Sequence, residues 1–328
     1  PKAFLGEFVG TDATSISKLF DDFVANPGSV ILAHTVFMAI NYFIIASGVK
    51  GLEKAVRFLM PGLLLLLFIL FLYSLTSGSF LDGVKFMFTP NFNALNWNGV
   101  LTAMGLACFT LSIGMGAIMA YGAYLPQETS ITSATVSVVI ADTGIAMLAG
   151  LVIFPLVFAN GLNPGEGPDL VFKTLPLVFG QMQVGTFLAT IFFVLLSFAA
   201  LTSALGLMEP AVAWMIESTE YTRKQCAATI AFIIWFLGLG SALSFNTMAD
   251  FKFLNGTIYE NVDFLTSNIM LPLGAVFTTF FAAWIMSKNS TSEELDGHSL
   301  TYNIWRFLAK YFSPIAILII FLQAIGWI

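Results

Sequence analysis

The sequence predicts an all-α, polytopic membrane helix bundle, and three observations carry that expectation. The chain is 58% hydrophobic and only 10% charged, against about 25% charged residues in an average soluble domain. Eight mostly apolar segments recur along it, near residues 29–49, 57–77, 98–124, 131–158, 185–215, 225–245, 262–287 and 306–327. Each reaches the roughly 20 residues that a helix needs to cross hydrocarbon. The third observation is Phe109-Thr110-Leu111-Ser112-Ile113-Gly114-Met115-Gly116-Ala117-Ile118, which puts two hydroxyls and two glycines inside one of these segments. Irregular backbone at membrane depth survives only where it lines a cavity or a ligand site, so a broken helix here is a binding-site candidate.

The elements follow in chain order. Residues 1–28 read as an outer loop in which 12–25 form a short amphipathic helix, stopped by Asn26-Pro27. After the crossings at 29–49 and 57–77, residues 80–88 repeat that pattern and end at Thr89-Pro90. The broken segment 98–124 and the crossing 131–158 come next. Gly161 to Pro168 is then a turn-rich lead into Leu170 to Phe179, an apolar stretch punctuated by Pro176. Too short to span, it reads as a re-entrant hairpin or lid. Crossings 185–215, 225–245, 262–287 and 306–327 complete the set, with a polar, mobile linker from Lys288 to Ser299. The chain opens at Pro1 with no signal peptide, which reads as a fragment lacking its N-terminal part.

Eight crossings put both ends on one side. If the first runs inward, Lys50, Lys54, Arg57, Arg223, Lys224, Lys288, Arg306 and Lys310 are cytoplasmic, leaving Lys2, Lys18, Lys85, Lys173 and Lys252 outside. Short cytoplasmic loops carry excess Lys and Arg, so both termini are expected to face outward from a plasma (inner) membrane. A net charge of -6 argues against nucleic acid as a partner. Cys108 and Cys226 suggest no disulfide framework. His34 and His298 lack metal-ligand spacing and read as a packed or hydrogen-bonded residue and a loop residue. No Ser-His-Asp arrangement, nucleotide-binding glycine loop or paired intramembrane acids is present, which makes an enzyme a poor reading.

Acids inside spanning segments are costly and mark functional sites by default. Asp142, a third of the way along the fourth crossing, reads as a cation or proton site, against a helix-packing hydrogen bond. Glu209, followed by Pro210, could cap freed backbone groups or take part in function. Asp263 is either a functional acid or a surface carboxylate at a helix start. The fifth crossing carries Ala199-Ala200-Leu201-Thr202-Ser203-Ala204-Leu205-Gly206, where two hydroxyls and a freed Ala199 carbonyl form a hard-oxygen cluster suited to Na+. Close helix packing is the competing reading of the same small residues.

Several motifs together resemble the neurotransmitter:sodium symporter family, in its bacterial amino-acid transporter branch. They are Lys50-Gly51-Leu52-Glu53-Lys54 with Met60-Pro61, Lys85-Phe86-Met87-Phe88-Thr89-Pro90, the Phe109 to Gly116 stretch, and Asp142 with Ala149 to Phe154. Further on come Gly167 to Phe172 with Thr174-Leu175-Pro176, and Leu201-Thr202-Ser203 with Glu209-Pro210. The resemblance implies an inverted-repeat sodium symporter fold, here partial with about eight transmembrane helices and lacking the first three. In one transporter domain over 1–328, residues 1–28 form an extracellular loop, 29–77 close the first repeat, 98–287 form the second, and 306–328 are an accessory helix.

Roles follow from the resemblance residue by residue. Phe109 resembles an aromatic lid, Thr110 a ligand of the substrate-adjacent Na+, and Ser112 a contact to the substrate's amino group. Met115, Leu207 and Gly206 would wall the apolar pocket, with Ser203 also near substrate. Asp142 stands at a sodium-ligand position usually held by Asn, which implies that chloride is not required and admits proton exchange. A second Na+ would use the Ala199 carbonyl with the Thr202 and Ser203 hydroxyls. Asp263 resembles the outer-gate acid, while Tyr124, Glu217 and Glu209 resemble a cytoplasmic gate network whose arginine lies outside this sequence. The implied function is sodium-coupled symport of small hydrophobic or aromatic L-amino acids across the lipid bilayer. The alternatives are transport of another amine or solute on the same fold, and a non-transporting truncated membrane protein.

Overall fold

The computed structural model describes residues 2–93, 95–126, 128–162, 169–182, 184–254, 256–295 and 300–327. The described residues are almost entirely helical, and seven helices are long and apolar enough to cross a membrane. The segment expected at 98–124 is not among them because it is divided into α5 (Trp97–Thr110) and α6 (Ala117–Gly122). The chain separates into two compact units, one of residues 1–90 and 144–250, the other of residues 91–143 and 251–328.

The first unit opens with α1 (Ala13–Ala25), where Asp12 accepts the Ser15 N–H at 3.3 Å as N-cap. Asn26 ends α1 and caps α2 (Pro27–Ala46) by accepting the Ser29 N–H at 3.1 Å. Pro27 occupies the first helical position, where its missing N–H costs nothing. α3 (Val49–Ser74) and α4 (Phe80–Phe88) follow. The unit also holds the second part of α7 (Ile131–Ala159), then α8 (Leu170–Gly180), α9 (Gly185–Ser218) and α10 (Arg223–Leu243). α9 packs along α3, and α10 along α2.

Between membrane helices, association comes from close packing and satisfied polar groups rather than from escape from water. Buried hydroxyls therefore matter. Ser74 Oγ donates to Phe71 O at 2.8 Å and to Leu151 O at 3.0 Å, tying α3 to α7. His34 is hydrogen bonded as expected, with Nε2 3.1 Å from Trp235 O. Cys226 is buried, Cys108 half-buried, and both are free.

Three loop expectations need correction or restriction. Leu170–Gly180 is not a hairpin but one helix, π-type over Leu170–Thr174, with residues Leu175 to Gly180 all buried. Pro176 lies in the first turn of the α-helical part, where the ring is tolerated. The Gly10 N–H donates to the Gly180 carbonyl at 3.1 Å and so closes the helix end. Lys173 Nζ sits 3.2 Å from Asp169 and 3.5 Å from Asp21, linking α8 to α1. The Asp169 carboxylate, with help from Asp21, raises the Lys173 pKa above its ordinary value. Of the turn-rich lead at 161–168, residues 163–168 lie outside the described residues.

The second unit contains α5, α6, the first part of α7, α11 (Ile258–Ile285), α12 (Lys288–Glu294) and α13 (Leu300–Ala324). Thr257 and Glu260 form a reciprocal capping box that starts α11. The linker after α11 is not wholly mobile as expected. Ser287 caps α12, and Thr291 on α12 meets Tyr302 on α13 at 3.0 Å between the two oxygens. Arg306 Nη1 donates to the same Tyr302 oxygen at 2.9 Å and to Thr291 Oγ1 at 3.3 Å. Residues 296–299, with His298, lie outside the described residues.

Candidate ion and substrate site at a broken helix

Asn96 starts α5 by accepting the Gly99 N–H at 2.7 Å, and the helix runs cleanly to Thr110. The ladder then degrades. Ser112 N–H donates to Phe109 O at 2.9 Å and Ile113 N–H to Cys108 O at 3.0 Å, a tightened and a widened turn in succession. Ser112, Gly114 and Gly116 have φ of 54°, 89° and 80°. Left-handed backbone costs an L-residue roughly 1–2 kcal/mol but a glycine little, so the glycines permit the interruption and Ser112 carries its strain. Gly116 then serves as N-cap of α6. Among the described residues, no backbone N–H reaches the carbonyls of Thr110, Leu111 or Ile113. Those oxygens are available to a ligand.

Beside the break stands the carboxylate of Asp142, half-buried on α7. Thr110 Oγ1 donates to Asp142 Oδ1 at 3.0 Å and lies 3.2 Å from Oδ2. Two candidate ligands 32 residues apart thus meet within one unit. Phe109 is half exposed and lines a cavity of about 440 Å³ with Cys108, Ser267, Asn268 and Gln323. Met115 is half-buried in the break, and Tyr124 is exposed just beyond α6. Asp263 is exposed near the start of α11, where it accepts the Ser267 hydroxyl at 3.3 Å. It is the sixth residue of the helix, beyond the first turn, where Glu260 is the acid, so the helix-start reading does not fit its place.

The other candidates belong to α9 in the first unit. This helix is continuous from Gly185 to Ser218, so the Ala199 carbonyl is not released by a local break as the sequence suggested. Instead Thr202 Oγ1 donates to Ala199 O at 3.0 Å and to Phe198 O at 3.1 Å. Ser203 and Leu207 are exposed on α9, and Gly206 is buried.

Glu209 is completely buried, and its partner is within the chain. Arg223 Nη2 donates to Glu209 Oε2 at 2.6 Å while Arg223 Nε donates to Ile45 O at 2.9 Å. The sequence left Glu209 between capping freed backbone and taking part in function; the structure gives it an ion pair with Arg223. Arg223 was read from the sequence only as a topology marker. Its signal was the separation of 14 residues across one short turn, which brings α10 back alongside α9. Glu217 is exposed at the end of α9.

A bundle of apolar helices, one of them interrupted beside a carboxylate and hydroxyl, defines a multi-pass membrane protein of the transporter type. Residues 5–327 match the sodium:neurotransmitter symporter family, and the chain belongs to that family of sodium-dependent transporters. It is 36% identical to the uncharacterized sodium-dependent transporter YhdH of Bacillus subtilis, over 99% of this chain and 73% of that protein. An uncharacterized sodium-dependent transporter of Haemophilus influenzae is 31% identical over 94% of this chain and 68% of its own length. The crystal structure of MhsT in complex with L-phenylalanine superposes with a TM-score of 0.88 at 38% identity, covering 98% of this chain and 74% of MhsT.

Proposed function

We propose that this transporter couples Na+ entry to uptake of a small hydrophobic or aromatic L-amino acid, with substrate and one Na+ meeting at the α5–α6 break. The observation that carries the reading is the Thr110–Asp142 pair beside free carbonyls. A hydroxyl and a carboxylate are hard oxygen donors, suited to an alkali cation. Full negative charge at Asp142 adds an attraction of about 4 kcal/mol at 4 Å for an effective dielectric near 20, before desolvation is subtracted. That charge takes the part of an added anion, and transport is therefore expected to be independent of chloride. Na+ entry displaces the Thr110 hydrogen from Asp142 and turns both oxygens toward the ion.

A second Na+ fits the Ala199 carbonyl with the Thr202 and Ser203 hydroxyls on α9, once Thr202 rotates away from its own helix. The substrate class is supported by the L-phenylalanine held by MhsT and by Met115, whose flexible thioether adapts to different side-chain shapes. Phe109 and Asp263 act at the outer gate. Tyr124, Glu217 and the Glu209–Arg223 pair act at the cytoplasmic one, with both termini of this chain outside. Purified transporter in proteoliposomes should accumulate labelled phenylalanine, leucine, tyrosine or tryptophan under a Na+ gradient. Replacing chloride by gluconate should change nothing, and equal uptake in K+ would refute the coupling.

A further inference from the structure

We infer that Gly274 on α11 is a positioning residue for the substrate-binding break, holding its main chain by direct backbone contact; this rests on the proposed role of the break. A non-helical segment has no ladder of its own to fix its carbonyls, so what it leans on sets their positions. Here the support is another main chain. A Cβ placed on Gly274 collides with the Gly114 carbonyl oxygen and lies 3.1 Å from Gly114 C and 3.2 Å from its Cα. In the opposite direction, a Cβ on Gly114 collides with Ala275 N and falls 2.5 Å from Leu271 O and 2.9 Å from Gly274 C. Two glycines on different elements have given up their side chains at the same point.

The α11 side of this contact is rigid. Ala275 is fully buried, and the Thr278 and Thr279 hydroxyls donate to Gly274 O at 2.8 Å and Ala275 O at 2.6 Å. Immediately before it, Phe264–Met270 is a π-helical stretch, which rotates the residues that follow relative to a regular α-helix. The atoms that a new Cβ meets are all backbone, which cannot swing aside as a flexible side-chain tip could. A side chain at 274 therefore displaces the Gly114 carbonyl, and with it the neighbouring Ser112 to Met115 backbone. Thr110 and Asp142 lie on the regular helices α5 and α7, and neither is among the atoms that a Cβ at 274 meets. Substrate and ion binding should consequently respond differently.

The test uses G274A and G274V in the purified transporter, expressed from its complete gene. Equilibrium binding of labelled L-phenylalanine in Na+ is read beside the Na+ midpoint of thermal stabilisation without amino acid. The expected result is substrate affinity weakened about tenfold or more, as overpacking against fixed atoms implies, and further in G274V than in G274A. The Na+ midpoint should stay within about twofold, since a general packing defect would shift both readouts together. Substrate affinity unchanged in both variants, or loss of ion and substrate binding in parallel, overturns the assignment. If neither variant folds, hydrogen exchange on the parent decides. Substrate should slow exchange in 111–116 and 271–278 together, and protection confined to the first segment overturns it. A parent that binds no amino acid in Na+ would instead overturn the functional reading.

Discussion

The α5–α6 segment and helix α9 carry similar ingredients and solve opposite problems. Both place a threonine and a serine among small residues at membrane depth, Thr110 and Ser112 in one, Thr202 and Ser203 in the other. α9 nevertheless runs unbroken for 34 residues through Gly206 and Pro210, whereas α5 stops after 14. Hydroxyls and glycines alone do not break a helix. In α9 the Thr202 hydroxyl is spent on carbonyls of its own helix, a local back-bond. In the other segment the Thr110 hydroxyl leaves its helix for a carboxylate, and Gly114 trades helical geometry for main-chain contact with α11. Irregular backbone at this depth lasts where it lines a cavity or a ligand site.

The largest effect is expected on α9 at its buried ion pair. R223M takes the cation away from the buried Glu209 carboxylate, a change that costs about 3–5 kcal/mol and should lower the detergent Tm markedly. Adding E209Q in the same chain should recover part of that loss. At the break, D142A removes a charged acceptor worth about 1.5–3 kcal/mol. The Na+ concentration for half-maximal substrate binding should then rise roughly 10- to 100-fold, with a much smaller change in Tm. T202A sharpens the contrast between the two helices, because the lost back-bond is worth only about 1 kcal/mol or less. Its signature should be the Na+ Hill coefficient of uptake, which falls from near two toward one if α9 holds a second ion.

The smallest effect lies outside both segments. K173M removes partly exposed ion pairs to Asp21 and Asp169, worth under about 1 kcal/mol. Because the folded protein raises the Lys173 pKa, this contribution is fully present below the unfolded lysine pKa. It disappears only as pH climbs through the higher folded value. Parent and K173M stabilities should therefore differ slightly at neutral pH and converge in strongly alkaline buffer.

Legibility in the sequence followed the range of the interactions. The interruption was readable because its signal is local, two glycines within three positions beside hydroxyls, although what stabilises it is not. The ends of α1 and α4 were readable for the same reason. Pairing was not. The union of Glu209 with Arg223, and the Thr291–Tyr302–Arg306 cluster between α12 and α13, depend on which helices come to lie side by side. Composition also misled at α8, where a proline and a short apolar run suggested a re-entrant hairpin or lid and the structure has a single helix. Burial of residues Leu175 to Gly180 makes it part of the core. The Gly114–Gly274 contact joins residues 160 positions apart by number and leaves no pattern in either segment alone.

A high-resolution structure of the transporter with Na+ and L-phenylalanine bound tests the central claim most directly. The account predicts a cation coordinated by Thr110 Oγ1 and the Asp142 carboxylate, their mutual hydrogen bond opened, and the amino acid against the backbone of residues 111–116. Thr110 still donating to Asp142 with both ligands bound elsewhere would contradict it.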